Sequence, residues 1–364
     1  MNEQPKKDLL SLLPEELEEL ILSIGEPKYR ASQIFPAMHK GISPDGMTNL
    51  GKVTKQKLSE VAYYYLPTPR RKLVSALDGT IKYLFSLSDG NCVESVVMKY
   101  KHGNTICISS QVGCRMGCAF CASTIGGKVR DLAPSEMLGQ IIAAEVDSGE
   151  KISNIVMMGI GEPLDNYGNV IKFLKLVGNE NGLNIGYRHI SLSTCGLVDK
   201  IEMLAKESFP ITLSISLHAS DDETRSAIMP VNKKWNIEKL LSACKSYYKT
   251  TGRRISFEYT LISGKNDSPE AAARLASLLN SSLRVRGAGE SFPIHVNLIP
   301  VNPVTETGFS ASDKKAVEKF AAILERKGIR ATVRRRLGGD INASCGQLRR
   351  AEQKAEAFGD QNLS

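Results

Sequence analysis

No stretch of this sequence approaches the ~20 consecutive apolar residues that a membrane-crossing helix needs, so a spanning anchor is excluded and a soluble protein is expected. Aromatic side chains are scarce, at 6% of residues with Trp235 the single tryptophan. That scarcity argues against an exposed platform for stacking bases and leaves shape and phosphate contacts as the way to grip a nucleic acid. No secretory leader opens the chain, so the eight cysteines do not read as a disulfide framework. In a reducing cytoplasm they serve instead as ligands or in catalysis. Acidic residues are outnumbered, 39 against 47 Lys and Arg, for a net charge of +8. Basic knots stand at Arg70-Arg71-Lys72, Arg253-Arg254, Arg334-Arg335-Arg336 and Arg349-Arg350. Such an excess suits a polyanion, most simply RNA, with a solvated basic face as the alternative.

What the chain does hold is a dense run of thiols. Cys114, Cys118 and Cys121 fall at C-x3-C-x2-C. Four thiolates satisfy an ordinary iron–sulfur cube, and four Cys or His ligands close a structural zinc site. Three in one short run leave a fourth position for a distant ligand or a small molecule. On a [4Fe–4S] cluster the open iron accepts an exogenous ligand, and the run resembles the signature of radical S-adenosylmethionine (SAM) enzymes. The alternatives are a zinc knuckle with a borrowed ligand, or three buried thiols behaving as small hydrophobes. Met116 and Phe120, between the cysteines, would shield a cluster from water.

At 364 residues, 42% of them hydrophobic, the chain suits one large α/β domain with a small appendage. Residues 14–24 read as an amphipathic helix opened by Pro14 and stopped by Gly25, followed by helices at 29–39 and 54–65. Pro67 and Pro69 then end a helical accessory domain, 1–66. A β-hairpin extension, 67–103, carries strands 73–76, 80–87 and 92–100, with a further strand at 104–110, broken by Asp78-Gly79, Asp89-Gly90 and His102-Gly103. On the third strand Glu94 shares a face with Val96 and Met98, as a solvated edge residue or a group aimed into a site. From 104 to 336 strands and helices alternate, which predicts a parallel sheet, as a partial or complete (β/α) barrel. Residues 337–364 form a tail.

Chemically loaded residues follow the strands, where parallel α/β folds place their active face. Gly159-Ile160-Gly161-Glu162 lacks the third glycine of a dinucleotide fingerprint, Leu164 standing there. Its two glycines allow close approach to a ligand, and Glu162 suits an ammonium; the alternative is a tight turn with a solvated carboxylate. His218 is either a hydrogen-bonded core histidine or, beside Ser216, a cofactor contact. Ser193 and Asn302 are small polar residues at the same ends of their strands. Cys345, in a glycine-bearing tail flanked by arginines, reads as a nucleophile or redox thiol. Cys107, just before the cysteine loop, is its redox partner or core. Cys92, Cys195 and Cys244 read as packing.

Several stretches together resemble the RlmN/Cfr family of radical SAM RNA methyltransferases over nearly the whole length. They are Cys92–Val96, Cys107–Cys114, Met158–Leu164, Ser216–Ala219, Arg225–Pro230, Gly252–Tyr259 and Ala343–Leu348. Pro163 places the chain on the RlmN side. Asn342, Ser344 and Cys195 depart from the family pattern of Asp, Ala and Ser and leave the cysteine framework intact.

The resemblance implies a partial (β/α)6-type radical SAM barrel whose Cys114, Cys118 and Cys121 hold a [4Fe–4S] cluster. It implies SAM contacts from Gly161, Glu162, Ser193, Ser216, Leu217, His218 and Asn302. It further implies that two SAM are used per turnover: one methylates Cys345, the other yields the radical that activates the S-methyl group. The carbon then adds to C2 of an adenine, Glu94 removes the ring proton, and Cys107 attacks the thioether sulfur, leaving a Cys107–Cys345 disulfide. Substrates so implied are 23S rRNA and tRNA beside the anticodon. An electron donor, a cytoplasmic setting and a monomer complete the expectation. Attachment at C8, as in Cfr, and a zinc-stabilised RNA-binding module are the competing readings; methylthiolation would need a second cluster that the scattered remaining cysteines do not supply.

Overall fold

The computed structural model describes residues 5–283, 292–302, 308–341, 343 and 348–349. A helical unit opens it. Strand β1 (Lys7–Asp8) leads into helices α1 (Pro14–Ser23), α2 (Tyr29–Met38) and α3 (Lys52–Val61), and β2 (Ala62–Tyr63) returns to pair in parallel with β1. In α1 Pro14 takes the first turn, the Glu16 carboxylate accepts the Leu13 N–H at 2.8 Å, and Leu17, Leu20 and Ile21 are buried. The third helix stops at Val61 rather than Tyr65. A β-branched residue followed by the run Tyr63-Tyr64-Tyr65 favours extended backbone, and β1 supplies a partner.

Strands β3 (Thr68–Val74), β4 (Ile81–Ser86), β5 (Cys92–Met98) and β6 (Asn104–Cys107) follow as an antiparallel meander. The last was expected to reach Ser110 but ends at Cys107, because Ser109 turns to other partners. Its hydroxyl donates to the Glu94 carbonyl at 2.8 Å and its N–H to Gln140 Oε1 at 2.8 Å. The chain then makes a small antiparallel hairpin absent from the sequence reading, β7 (Gln111–Gly113) with β8 (Lys128–Asp131). The cysteine loop is the excursion between them.

Alternating elements complete the chain: α4 (Pro134–Ser148), β9 (Ile152–Met157), α5 (Tyr167–Val177), β10 (Ile190–Thr194), α6 (Val198–Leu204), β11 (Thr212–Ser216), α7 (Asp222–Ile228), α8 (Ile237–Thr251), β12 (Ile255–Leu261), α9 (Pro269–Leu283), β13 (His295–Pro300), α10 (Lys314–Arg326) and β14 (Arg330–Val333). Helix α7 was not anticipated; Asp221 caps it, accepting the Thr224 N–H at 2.8 Å. Among the described residues one ten-stranded sheet runs β14-β13-β12-β11-β10-β9-β6-β5-β4-β3. From β6 through β14 the pairing is parallel and follows chain order, the topology of a partial (β/α)6 barrel left open at two edges. Leu213, Ile215, Phe257, Tyr259, Val296 and Leu298 are fully buried beneath the helices, each such side chain contributing about 1.5–3 kcal/mol of transfer free energy. No described helix is long and apolar enough to cross a membrane.

Candidate active site

The cysteine loop is tied down along its length. The Cys114 N–H donates to the Gly127 carbonyl at 3.0 Å, the Cys121 N–H to the Cys118 carbonyl at 3.1 Å, and the Ala119 N–H to Ile228 at 2.9 Å. Thr124 Oγ1 donates to the Cys121 carbonyl at 2.9 Å. Asp165 gathers the two flanks, accepting from Arg115 at 2.5 Å, Gln111 at 2.9 Å and Lys128 at 3.0 Å. Burial pushes the Cys114 thiol up to about 12, and proximity to Cys121 adds to it. Cys118 is pushed up for the same reasons, by burial and then by Cys121 and Cys114. The three sulfurs thus feel one another, although no three His, Cys, Asp or Glu side chains among the described residues form a ready-made metal site. Three soft donors with no hard oxygen between them fit a thiophilic cluster, not a hard cation.

The loop after β9 is packed onto the start of the cysteine loop. The Gly159 N–H donates to the Ile108 carbonyl at 3.0 Å, and a Cβ on Gly159 would stand 2.6 Å from that oxygen. Gly161, at φ +108, leaves no room for a Cβ against Gln111. These glycines let the loop approach a neighbouring segment closely. Glu162 is buried, with Oε1 accepting the Leu164 N–H at 3.1 Å and Oε2 the Cys195 N–H at 2.7 Å. Burial raises its pKa. The carboxylate bridges the loops after β9 and β10.

Polar groups stand together at the ends of β10 and β11. The Ser193 and Ser216 hydroxyls are 3.5 Å apart. Leu217 is fully buried. His218 adopts φ +56, a backbone conformation that only surrounding contacts sustain in a non-glycine residue. Its Nδ1 accepts the Thr260 N–H at 2.9 Å and its carbonyl accepts Asn266 Nδ2 at 2.7 Å. Burial pushes it down to about 3, so the ring is neutral. The ring also meets Phe120 of the cysteine loop edge-on at 5.0 Å. His218 is thus a hydrogen-bonded core histidine whose ring packs on the thiol loop.

One residue here escaped the sequence reading. Arg225, fully buried on α7, donates to the carbonyls of Leu217 (3.1 Å), Cys195 (2.7 Å) and Ser216 (3.2 Å), and to Asn232 Oδ1 (2.8 Å). It knots the ends of β10 and β11. An arginine inside a polar helix pattern gives no sign of pointing inward; the signal was only its place in a quoted motif. Cys195, read as plain packing, lies in an apolar cluster with Met116, Cys118 and Phe120, directly against the thiol loop. Cys244 is fully buried among the core helices, as read, and Cys92 is partly exposed at the start of β5.

A cavity of about 290 Å³ opens beside the loop, lined by Met98, Cys107, Phe120, Cys121, Asn302 and Ala343. Exposed Arg334, Arg335 and Arg336 form part of its wall. Cys107 is buried and paired across the sheet with Val96, so it faces the same side as Glu94 and Met98. Glu94 is 2% exposed, which resolves its alternatives in favour of an inward-facing group. Lys82 Nζ, on β4, lies 3.1 Å from Glu94 Oε2, and the Arg349 N–H donates to Oε1 at 2.6 Å. Lys82 too was missed, because a lysine in a strand reads as an edge charge.

The tail reaches this wall from the far end of the barrel. Asp78 accepts the Gly338 N–H at 2.9 Å, and Asp340 accepts from Ser75 Oγ at 2.6 Å and the Ala76 N–H at 2.9 Å. Cys345 lies outside the described residues, between Ala343 on the cavity wall and Arg349 on Glu94.

Residues 108–276 match the radical SAM superfamily model, and residues 7–64 match the ribosomal RNA large subunit methyltransferase N-terminal domain. With a parallel sheet whose first loop carries the three thiols, this defines a radical SAM enzyme. A radical SAM methyltransferase from Sphaerobacter thermophilus superposes with a TM-score of 0.87 at 41% identity, covering 94% of this chain and 98% of that one. Proteins named probable dual-specificity RNA methyltransferase RlmN are similar in sequence nearly end to end. That of Clostridium novyi is 50% identical over 94% of this chain and 98% of its own, and that of Alkaliphilus oremlandii 52% over 95% and 98%. The chain belongs to the RlmN family of radical SAM RNA methyltransferases, whose cofactors are a [4Fe–4S] cluster and SAM. Membership sets aside the zinc-stabilised binding module.

Proposed function

We propose that this enzyme methylates C2 of adenine, in 23S rRNA and in tRNA beside the anticodon, through a carbon carried on Cys345. The observation that carries the reading is the shared cavity wall. Cys107 and, from β5, Val96 and Met98 share that wall with Cys121, and of the described residues on either side of Cys345, Ala343 lines the wall and Arg349 binds Glu94 of the same strand.

In this reading Cys114, Cys118 and Cys121 hold the cluster. Gly161, Glu162, Ser193, Ser216, Leu217, His218 and Asn302 surround the SAM. The bound cofactors supply a carbon-centred radical and, with two SAM per turnover, the methyl group itself. The residues do the rest. The neutral His218 ring and buried Leu217 keep water from the site, while Phe120 covers the thiol loop. Cys345 presents the carbon to the base, which matters because C2 is an electrophilic amidine carbon and no nucleophile for a sulfonium. Glu94 accepts the proton leaving C2, and the bound cofactors would take back the odd electron that radical addition leaves on the ring. Cys107 attacks the Cys345 sulfur, the C–S bond breaks, the freed carbon takes a proton to become the methyl group, and a Cys107–Cys345 disulfide remains for an external reductant. The helical unit of residues 1–66 and Arg334–Arg336 grip RNA phosphates. The enzyme works as a cytoplasmic monomer.

Anaerobically reconstituted protein incubated with RNA, SAM and a reductant tests the reading. Nucleoside mass spectrometry should find 2-methyladenosine. 8-Methyladenosine in its place would move the chemistry to C8.

A further inference from the structure

We infer that Lys82 is a positioning residue for proton removal, holding the Glu94 carboxylate in place on β5, the strand whose Val96 and Met98 line the cavity. The inference rests on the reading of Glu94 as the proton acceptor. Lys82 is the one charged residue in β4, between Ile81 and the fully buried Tyr83, Leu84 and Phe85, and is itself fully buried. The pair with Glu94 spans 3.1 Å, with side-chain exposures of 1% and 2%.

Such a pair is a poor device for stability alone. Removing two ions from water costs several kcal/mol each, and packed apolar residues in their place are often neutral or better. Its location supplies another reason. Register places Lys82 opposite Val96 and Val96 opposite Cys107, so lysine, valine and thiol form one row across β4, β5 and β6 with Glu94 one step along the same face. With Lys82 on Oε2 and the Arg349 N–H on Oε1, both carboxylate oxygens are oriented.

Other charged and titratable groups around Glu94 are the Arg349 guanidinium on the tail, Cys107 on β6, and Cys92 on β5 with Arg70 at 3.8 Å. Lys82 is the cation in direct contact from the sheet. When the C2–H bond breaks, its proton passes to a Glu94 oxygen and its electron pair stays in the adenine ring, while the odd electron left there by radical addition would return to the bound cofactors that supplied the radical. The ammonium keeps its protons throughout and faces the negative charge as it shifts from carboxylate to ring.

The test compares K82M, K82R and E94Q in the full-length reconstituted enzyme, with RNA carrying hydrogen or deuterium at the target C2. K82M should still melt cooperatively and form 5′-deoxyadenosine. Its kcat for methylated product should drop about 10²-fold, the lower range for an impaired general base, with KM for RNA unchanged. A C2-deuterium isotope effect absent from the wild type should appear, and K82R should recover part of the loss. Wild-type kcat without an isotope effect, or a change in KM alone, overturns the proposal. If K82M fails to fold, K82Q carries the same expectations and the same refuting outcomes. Full activity in E94Q would instead overturn the reading of Glu94 itself.

Discussion

Arg225→Met should cost about 2–4 kcal/mol of folding stability, a figure that follows from what the guanidinium holds. It donates to three backbone carbonyls, those of Cys195, Ser216 and Leu217, and to Asn232 Oδ1, all within 3.2 Å. Methionine fills much of the volume but donates nothing, and each buried carbonyl left without a donor costs about 1–3 kcal/mol. Against this, the variant no longer buries a cation, and burial already lowers the Arg225 pKa. Relief of that desolvation recovers part of the loss but not all, because the guanidinium's hydrogen bonds are charge-assisted. Urea unfolding followed by circular dichroism measures the difference. The midpoint should fall with an unchanged slope, and Arg225→Lys, with three donors instead of five, should fall between. A loss under about 1 kcal/mol would refute the view that this arginine knots the strand ends.

Other expectations concern acid stability, metal content and close packing. His218 and His39 are pushed down by burial to about 3 and about 4, from an ordinary value of 6.5. Below 6.5 the unfolded chain therefore binds protons that the folded chain refuses, and stability falls with pH, by up to about 2 kcal/mol per histidine at pH 5. Both His39 ring nitrogens lack partners, so His39→Phe should flatten that slope; melting curves at pH 7 and pH 5 that fall as steeply as the wild type's would contradict this. Cys118→Ser should leave the fold intact and bind markedly less iron and sulfide after anaerobic reconstitution, and wild-type iron content would remove Cys118 from the ligand set. Gly159→Ala should lose about 2–3 kcal/mol, since its Cβ would meet the Ile108 carbonyl oxygen at 2.6 Å and its carbon at 2.7 Å; an unchanged urea midpoint would show that the loops can part.

The sheet was legible because its strands are apolar runs separated by amphipathic helices, a pattern that survives without any contact information. Strand ends were less so. β6 breaks at Cys107 because Ser109 bonds to Gln140 and to the Glu94 carbonyl, residues 31 and 15 positions away, and no local propensity encodes that. The thiol triplet announced itself by spacing alone. Lys82 and Arg225 did not, since a buried cation is recognisable only once its partners are in place: a carboxylate on the next strand for one, carbonyls from two loops for the other. Gly159 and Gly161 stood out in the sequence for the lack of a Cβ, and the structure packs backbone and Gln111 into that space, contacts that only the folded chain reveals.

The central claim is that a protein thiol carries the transferred carbon to C2. Cys345→Ala enzyme, reconstituted anaerobically and supplied with RNA, SAM and reductant, tests it most directly by nucleoside mass spectrometry beside the wild type. The account predicts 2-methyladenosine from the wild type and none from the variant. Equal yields from both would contradict it.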